Sequence, residues 1–322
     1  MGLAAEVVGL GPAGSAFARL YGSVCRRERA GSYTKPCGEA VPSDTPLVGR
    51  EHVIDKVRSY RFYCWRREIG EVSYARARWY IVNKRAWVES LRDCLEPSCG
   101  RADIIVRAGG PYQSAGEKII VARAYVKGVR LSDETAYFVF LQGAAGFFWA
   151  FPRGGLLNVG GGFIGARDPT PHLLYFVRRW LGGGHVLDVR GAPLTVSPRV
   201  LLHDGSGFRV GEAAGLVFPL TGEGVRPAVL SAMALARALR SKRPLAAYRK
   251  ELEGVIRQIE FQKRVLGLVR RAIAGGIHPL SLADDGVLRD YIEENLSART
   301  LLALLSRRPL AGIKIVTALV RR

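Results

Sequence analysis

Apolar residues fall first into short runs and later into helical stripes. Ala5-Glu6-Val7-Val8 reads as a short buried strand. Gly9-Leu10-Gly11-Pro12-Ala13-Gly14 follows, then small residues through Ala18 and Leu20 that read as a helix ending at Gly22. Ser23 to Glu28 reads as a second strand, so the chain opens β–turn–α–β. Residues 31–50, rich in Gly, Pro, Ser and Thr, read as a loop. Aromatic and β-branched residues dominate from Tyr60 to Val82, and Gly70 between two such runs predicts antiparallel strands. Residues 84–95 read as a helix. Ala102 to Val106 reads as a buried strand ending at Ala108-Gly109-Gly110-Pro111. Residues 118–165 read as sheet, with turns at Lys127-Gly128 and Pro152-Arg153-Gly154-Gly155. A second small-residue helix lies around 224–240, after Val210 and Gly211. Beyond Pro244 the chain reads as helical, with Leu252, Val255, Ile256, Ile259, Leu266, Val269 and Ile273 at three- and four-residue steps.

This order predicts a mixed fold, α/β in its nucleotide-binding part and α+β overall. A discontinuous first domain is expected from residues 1–59, 83–111 and 196–245. A β-rich domain for the substrate interrupts it at 60–82 and 112–195, and 246–322 form a C-terminal helical region. The length of 322 residues fits two domains and a sizeable core, and 48% apolar with 24% charged residues excludes a disordered or fibrous chain.

Charge changes the picture more than composition does. The formal net charge is +20, which favours an anionic partner such as a phospholipid surface, a phosphorylated substrate or nucleic acid. No nucleic-acid recognition motif accompanies it. Arg supplies 39 of the 48 basic residues, while Asn and Gln together number 7 and Met 2, a balance expected of a thermophile. Residues 241–322 carry 16 basic and 8 acidic side chains, and apolar runs alternate there with Arg307-Arg308 and Arg321-Arg322. Two readings stay open for this tail: an interfacial anchor on anionic lipid, or a helical cap with solvated arginines. No run reaches the ~18 apolar residues of a membrane span, and the N-terminus does not read as a signal peptide. The expected location is cytoplasmic, peripheral on the inner membrane face. The five Cys show no metal-ligand spacing, so no metal is expected. They read as free thiols, with a Cys94–Cys99 pair as the alternative.

The first glycine cluster has the context that a dinucleotide turn needs. Gly9, Gly11 and Gly14 lie between a strand and a helix, and Glu28 follows 19 residues after Gly9, at the next strand's end. Gly9 permits the tight turn, Gly11 lets backbone approach a pyrophosphate, and Gly14 lets helix and strand pack closely. The helix N-terminus, with Pro12 and Ala13, offers free N–H groups and a positive dipole end. A second cluster, Gly211-Glu212-Ala213-Ala214-Gly215 and then Pro219-Leu220-Thr221-Gly222-Glu223-Gly224, again places turn-formers ahead of a helix. Two such turns about 200 residues apart fit two ends of one long cofactor.

Together these residues resemble the geranylgeranyl reductase family of flavoproteins, within the p-hydroxybenzoate-hydroxylase-like fold. Lys35-Pro36-Cys37-Gly38-Glu39-Ala40-Val41 resembles the "PCG-D-A" loop of archaeal members. Phe147-Phe148-Trp149-Ala150-Phe151-Pro152, then Asn158-Val159-Gly160, is similar to the family's Tyr-x-Trp-x-Phe-Pro segment and its Asn-Val-Gly. The resemblance spans roughly residues 5–245. It implies bound FAD, an external electron donor (reduced ferredoxin or NAD(P)H), and reduction of C=C bonds in the prenyl chains of isoprenoid membrane lipids. By it, Gly9, Gly11, Pro12, Ala13, Gly14, Glu28, Cys37, Gly38, Arg85, Gly211, Glu212, Gly222 and Gly224 would hold the cofactor. Cys37 would give or organise the proton, and Phe148, Trp149, Phe151 and Pro152 would line a slot for the isoprenoid. The chain departs from the family at Phe147 for Tyr, Glu212 for Asp, and Gly109 for the Asp of Ala-Asp-Gly. Two other readings remain: a flavin monooxygenase of the same fold, and a non-catalytic lipid- or nucleotide-binding protein that has lost the flavin.

Overall fold

The computed structural model describes residues 4–26, 33–93, 95–96 and 101–320. The chain opens with β1 (Ala5–Val8), α1 (Pro12–Tyr21) and β2 (Val24–Arg26). Pro12 sits in the first turn of α1, where its missing N–H costs nothing, and Gly22 ends the helix at φ +92°. The segment read as loop carries a short strand, β3 (Ala40–Pro42), before β4 (Val53–Val57), β5 (Ser59–Cys64), β6 (Arg67–Ser73) and β7 (Trp79–Val82). Gly70 lies inside β6 rather than in the turn. The β5–β6 turn is at Trp65 and Arg66, with Trp65 at φ +53°, and a Cβ on Gly70 would stand 2.9 Å from Leu288. A missing side chain there makes room for a packed helix, which a sequence run alone does not reveal.

Then come α2 (Lys84–Ser90), capped by the Asn83 side chain, β8 (Ile104–Arg107), β9 (Ala115–Lys127), β10 (Thr135–Leu141), β11 (Ala144–Arg153), β12 (Leu156–Phe163), α3 (Thr170–Arg179), β13 (His185–Arg199) and β14 (Phe208–Arg209). The chain ends in α4 (Val225–Ala238), α5 (Pro244–Glu251), α6 (Glu253–Ala274), α7 (Asp285–Ile292), α8 (Ala298–Arg307) and α9 (Pro309–Val320).

Among the described residues the strands form three sheets. The first is parallel, in the order β14-β8-β1-β2, with α1 and α4 packed together beside it. This is the Rossmann-like layer that the opening β–turn–α–β predicts. The second has the order β13-β9-β12-β11-β10-β5-β6 and is antiparallel except where β10 lies parallel to β5. The third is a small sheet, β3-β7-β4.

The seven-stranded sheet is buried on both faces. On one face Phe148, Tyr137, Val139 and Phe163 pack against Leu173, Phe176 and Val177 of α3. On the other, Phe138, Phe140, Trp149 and Phe151 join Val287, Leu288, Tyr291, Ile292 and Leu304 of the C-terminal helices. A strand covered on both sides has no polar positions to mark its faces, which is why β11 reads as an unbroken apolar run. The tail therefore packs onto the body as a cap, and no described helix is long and apolar enough to cross a membrane.

Candidate active site

The parallel sheet aims its strand ends at one cavity of about 590 Å³, a size typical of small-molecule sites. Gly9, Gly11, Pro12, Ala13, Cys37, Gly38, Glu212, Gly222 and Gly224 line it, with Trp149 and Phe151. Gly14 and Gly211 support the turns from beneath. A Cβ on Gly14 would sit 2.0 Å from the Gly9 carbonyl oxygen, and one on Gly211 would sit 2.7 Å from Ala13 Cβ. Gly9 turns at φ +99°, with the Ala108–Gly109 backbone 2.7 Å from where a Cβ would stand. Above Gly11, among the described residues, only Tyr33 comes within 4 Å of where a Cβ would stand, at 3.7 Å. The N-terminus of α1 has no side-chain cap and no acid in its first turn. The turn is thus tightly packed below and open above, with N–H groups left for an anion. Half-buried Arg92 supports it by donating to the Leu10 carbonyl and, at 3.2 Å, to Ser15 Oγ. The residues present fit the dinucleotide end of a flavin cofactor. Glu28, the expected ribose ligand, lies outside the described residues.

The Cys37 loop crosses the cavity mouth and is fixed from three sides. Asn158 Nδ2 donates to the Cys37 carbonyl at 3.0 Å and to Glu39 Oε2 at 3.2 Å, while Trp149 Nε1 donates to Asn158 Oδ1 at 3.1 Å. Tyr125 donates its hydroxyl to Glu39 at 3.0 Å, and Arg153 forms an ion pair with the same carboxylate. The Arg153 guanidinium also lies 4.4 Å from the centre of the Tyr125 ring. Gly38 lies against Phe151 and Trp149. The Glu39 backbone N–H points at Cys37 Sγ, 3.1 Å away.

Lys84 is buried beside Cys37, with its Nζ 5.1 Å from the centre of the Tyr33 ring. Burial disfavours its charge, but the facing Cys37 and Tyr33 more than offset this, and the net shift is upward. Lys35 Nζ pairs with Glu212 Oε2 at 2.9 Å, while Glu212 Oε1 accepts the Thr195 N–H at 2.8 Å. The longer Glu in place of the expected Asp thus bridges the Cys37 loop and β13. At the other departure, the Gly109 N–H donates to Gln113 Oε1 at 2.9 Å.

Three expectations are corrected. Arg85 does not face the cavity: it pairs with Glu89 at 3.3 Å one turn along α2, and its side chain is 60% exposed. The inward position belongs to Lys84, because Asn83 is the helix cap and α2 begins one residue earlier than Arg85 requires. Phe148 stacks on Phe176 at 4.5 Å in the opposite core, and Pro152 shares its side of β11. Strand alternation turns Phe147, Trp149 and Phe151 to the cavity instead. Among the cysteines, Cys25 is disulfide-bonded, while Cys37 and Cys64 are free; Cys94 and Cys99 lie outside the described residues.

The C-terminal helices supply what the sequence did not assign. Glu294, at φ +55°, accepts from the Thr221 hydroxyl and from Gln262 Nε2 at 2.6 Å, and Gln262 Oε1 accepts the Leu220 N–H at 3.2 Å. Burial pushes Glu294 up to about 8, with nearby Glu223 acting in the same direction. Glu223 is likewise raised by burial, and its Oε2 has no hydrogen-bond partner among the described residues. Leu301, Leu304 and Ile315 close the far wall.

A parallel nucleotide-binding layer, a large antiparallel sheet and a cavity between them define the fold of FAD-dependent oxidoreductases and monooxygenases. Comparison with solved structures agrees. A geranylgeranyl bacteriochlorophyll reductase-like protein from Thermoplasma acidophilum superposes with a TM-score of 0.72 at 18% identity, over 98% of this chain and 99% of that one. A flavoprotein/dehydrogenase from Cytophaga hutchinsonii gives 0.70 at 13%, over 98% and 99%. A myxobacterial chondrochloren halogenase, described as a variant of FAD-dependent halogenases, gives 0.65 at 16%, over 96% and 90%. No protein-family model matches the sequence, and no curated protein matches it significantly.

Proposed function

We propose that this chain is an FAD-dependent reductase of C=C bonds in prenyl chains of isoprenoid membrane lipids. One observation carries the reading: the cavity that starts at the glycine turns and Cys37 continues along Trp149, Phe147 and Phe140 as an aromatic channel. Such a wall suits a long hydrocarbon better than a compact polar ring. The name of the Thermoplasma neighbour supports the same reading at the level of fold.

Gly9, Gly11, Pro12 and Ala13 would hold the pyrophosphate, and Gly222 and Gly224 would approach the ring end. The chemistry that reduced FAD would supply here, when bound, is a hydride for one alkene carbon. The second carbon needs a proton, and on this reading Cys37 would deliver it. Lys84 beside it, held protonated, would stabilise the thiolate left behind, which water would reprotonate. Asn158 and Glu39 hold the loop in place, and the aromatic walls exclude water. An external donor, reduced ferredoxin or NAD(P)H, would recharge the cofactor. Leu302, Leu310 and Ile313 on α8 and α9 are 64%, 72% and 62% exposed; Arg307 and Lys314 lie on the same helices, and Arg308 lies between them. This face supports a peripheral anionic membrane surface as partner.

The test is a visible spectrum of the purified protein, bleached with dithionite, followed by anaerobic incubation with a geranylgeranyl ether lipid. A bleachable two-band spectrum and a mass gain of two hydrogens per reduced bond are expected. A protein that stays colourless in added FAD overturns the reading, as does a bleached protein that leaves the lipid unchanged.

A further inference from the structure

Among the described residues the far end of the cavity is lined by apolar side chains apart from the His278 imidazole and the Tyr291 phenol, whose hydroxyl already donates to the Leu220 carbonyl at 3.0 Å. His278 lines the cavity between α6 and α7, is 2% exposed, and lies 5.2 Å from Phe140, centre to centre. Its position can be traced from the Cys37 loop by ring contacts. Gly38 touches Trp149; Trp149 is 6.5 Å from Phe147, Phe147 is 5.6 Å from Phe140, and Phe140 meets His278. His278 is therefore several side chains removed from the glycine turns. Two ion pairs sit at the near end, Lys35 with Glu212 and Arg153 with Glu39. His278 Nδ1 is buried and has no hydrogen-bond partner among the described residues. A buried polar atom without a partner destabilises the fold, so a position that carries one calls for an explanation. Burial alone lowers the imidazole to about 4, leaving it neutral at pH 7.

We propose that His278 is a specificity-determining residue that hydrogen-bonds one uncharged oxygen of the substrate, a hydroxyl or an ether, at the end of the cavity remote from the glycine turns. This rests on the prenyl-chain reading above and deepens it. A neutral ring can donate to an ether oxygen or accept from a hydroxyl. It gives no countercharge to a phosphate, and no other cationic side chain lines that end among the described residues. An ionised headgroup placed there would lose its hydration without compensation. The substrate would then place its oxygen at His278 and its polyene along Phe140, Phe147 and Trp149 toward Cys37.

Trp79 and Trp149 line the cavity, so quenching of tryptophan emission reports occupancy. FAD-loaded protein would be titrated with geranylgeraniol, with the same polyene lacking the hydroxyl, and with geranylgeranyl phosphate. Wild type should bind the alcohol about five-fold more tightly than the hydrocarbon, the size of one net hydrogen bond. The phosphate should bind more weakly than the alcohol. His278→Phe should abolish the preference while keeping hydrocarbon binding and flavin content, and His278→Gln should retain part of it. A preference that survives in His278→Phe overturns the assignment. So does equal binding of alcohol and hydrocarbon by wild type, or tighter binding of the phosphate; these two need no variant to fold. If a flavin-loaded wild type is quenched by none of the three probes, the prenyl reading itself fails and this inference falls with it.

Discussion

The two ends of the cavity are built by opposite rules. The near end is made of backbone turns and paired charges: the glycine turns, the Lys35–Glu212 bridge, the Glu39–Arg153–Tyr125 cluster and Lys84 beside Cys37. The far end is made of rings and aliphatic side chains, Phe138, Phe140, Phe147, Leu301, Leu304 and Ile315, with a neutral imidazole and the Tyr291 phenol. The glycine turns of the near end come from the first 40 residues and the 211–224 segment, with Lys84, Tyr125 and Arg153 added from between them, and much of the far wall comes from the C-terminal helices. The difference teaches that binding a charged cofactor and an apolar substrate in one cavity takes a gradient of polarity. Charges must be balanced locally at one end, because an unpaired charge at the other would be too costly to bury.

Several substitutions break or sharpen this contrast. The largest effect is expected from Gly14→Val. Its side chain cannot fit 2.0 Å from the Gly9 carbonyl, so the near end should lose flavin entirely and the melting temperature should fall; a variant purifying with full flavin would refute the turn's role. Next, Cys37→Ala should retain flavin but slow alkene reduction by about 10²–10⁴-fold, the usual scale of a lost proton donor. Unchanged single-turnover reduction would remove Cys37 from the chemistry. Third, two neighbours on β11 should part company. Phe148→Ala should cost about 3–5 kcal/mol of stability in denaturant melts and leave hydrocarbon affinity alone. Phe147→Ala should weaken hydrocarbon binding; matching behaviour of the two would contradict the alternation.

The fourth prediction concerns pH. Glu294 is raised to about 8, so the folded protein keeps a proton that the unfolded chain gives up at the ordinary value of 4.5. Its contribution is fully present below that ordinary value and is lost as pH rises toward 8. His278, lowered to about 4, has the opposite sign, but its effect is confined to pH below its ordinary 6.5. Between pH 6.5 and 8 the melting temperature should therefore fall as pH rises, with Glu223 acting in the same direction. Glu294→Gln should flatten that slope, and an unaltered slope would locate the titration elsewhere. The smallest effect is expected at the outer face: Leu310→Ser with Ile313→Ser should reduce co-sedimentation with phosphatidylglycerol vesicles several-fold, and high salt should reduce it further. Equal sedimentation of variant and wild type would leave the apolar face without a role at the membrane.

The chain's own pattern determined the opening β–turn–α–β, both glycine turns and the helical tail. These are local: the turn chemistry and the strand and helix periods are set by residues a few positions apart. The Cys37 loop was legible too, because its residues are consecutive. The errors came where local signals degenerate. Phe147 to Pro152 is apolar on both faces, so nothing in the run says that Phe148 turns to α3 and Phe147 to the cavity. Lys84 and Arg85 differ by one helical position, and the Asn83 cap decided which of them faces inward. Only the tertiary structure decided the rest. His278, after α6, lines the cavity, and Gln262 of α6 with Glu294 after α7 holds the Leu220–Thr221 turn, all from far along the chain; the tail became a wall of the cavity because its apolar stripe had the open face of a sheet to cover. Burial, not residue type, then made Glu294 a weak acid and His278 a neutral ring.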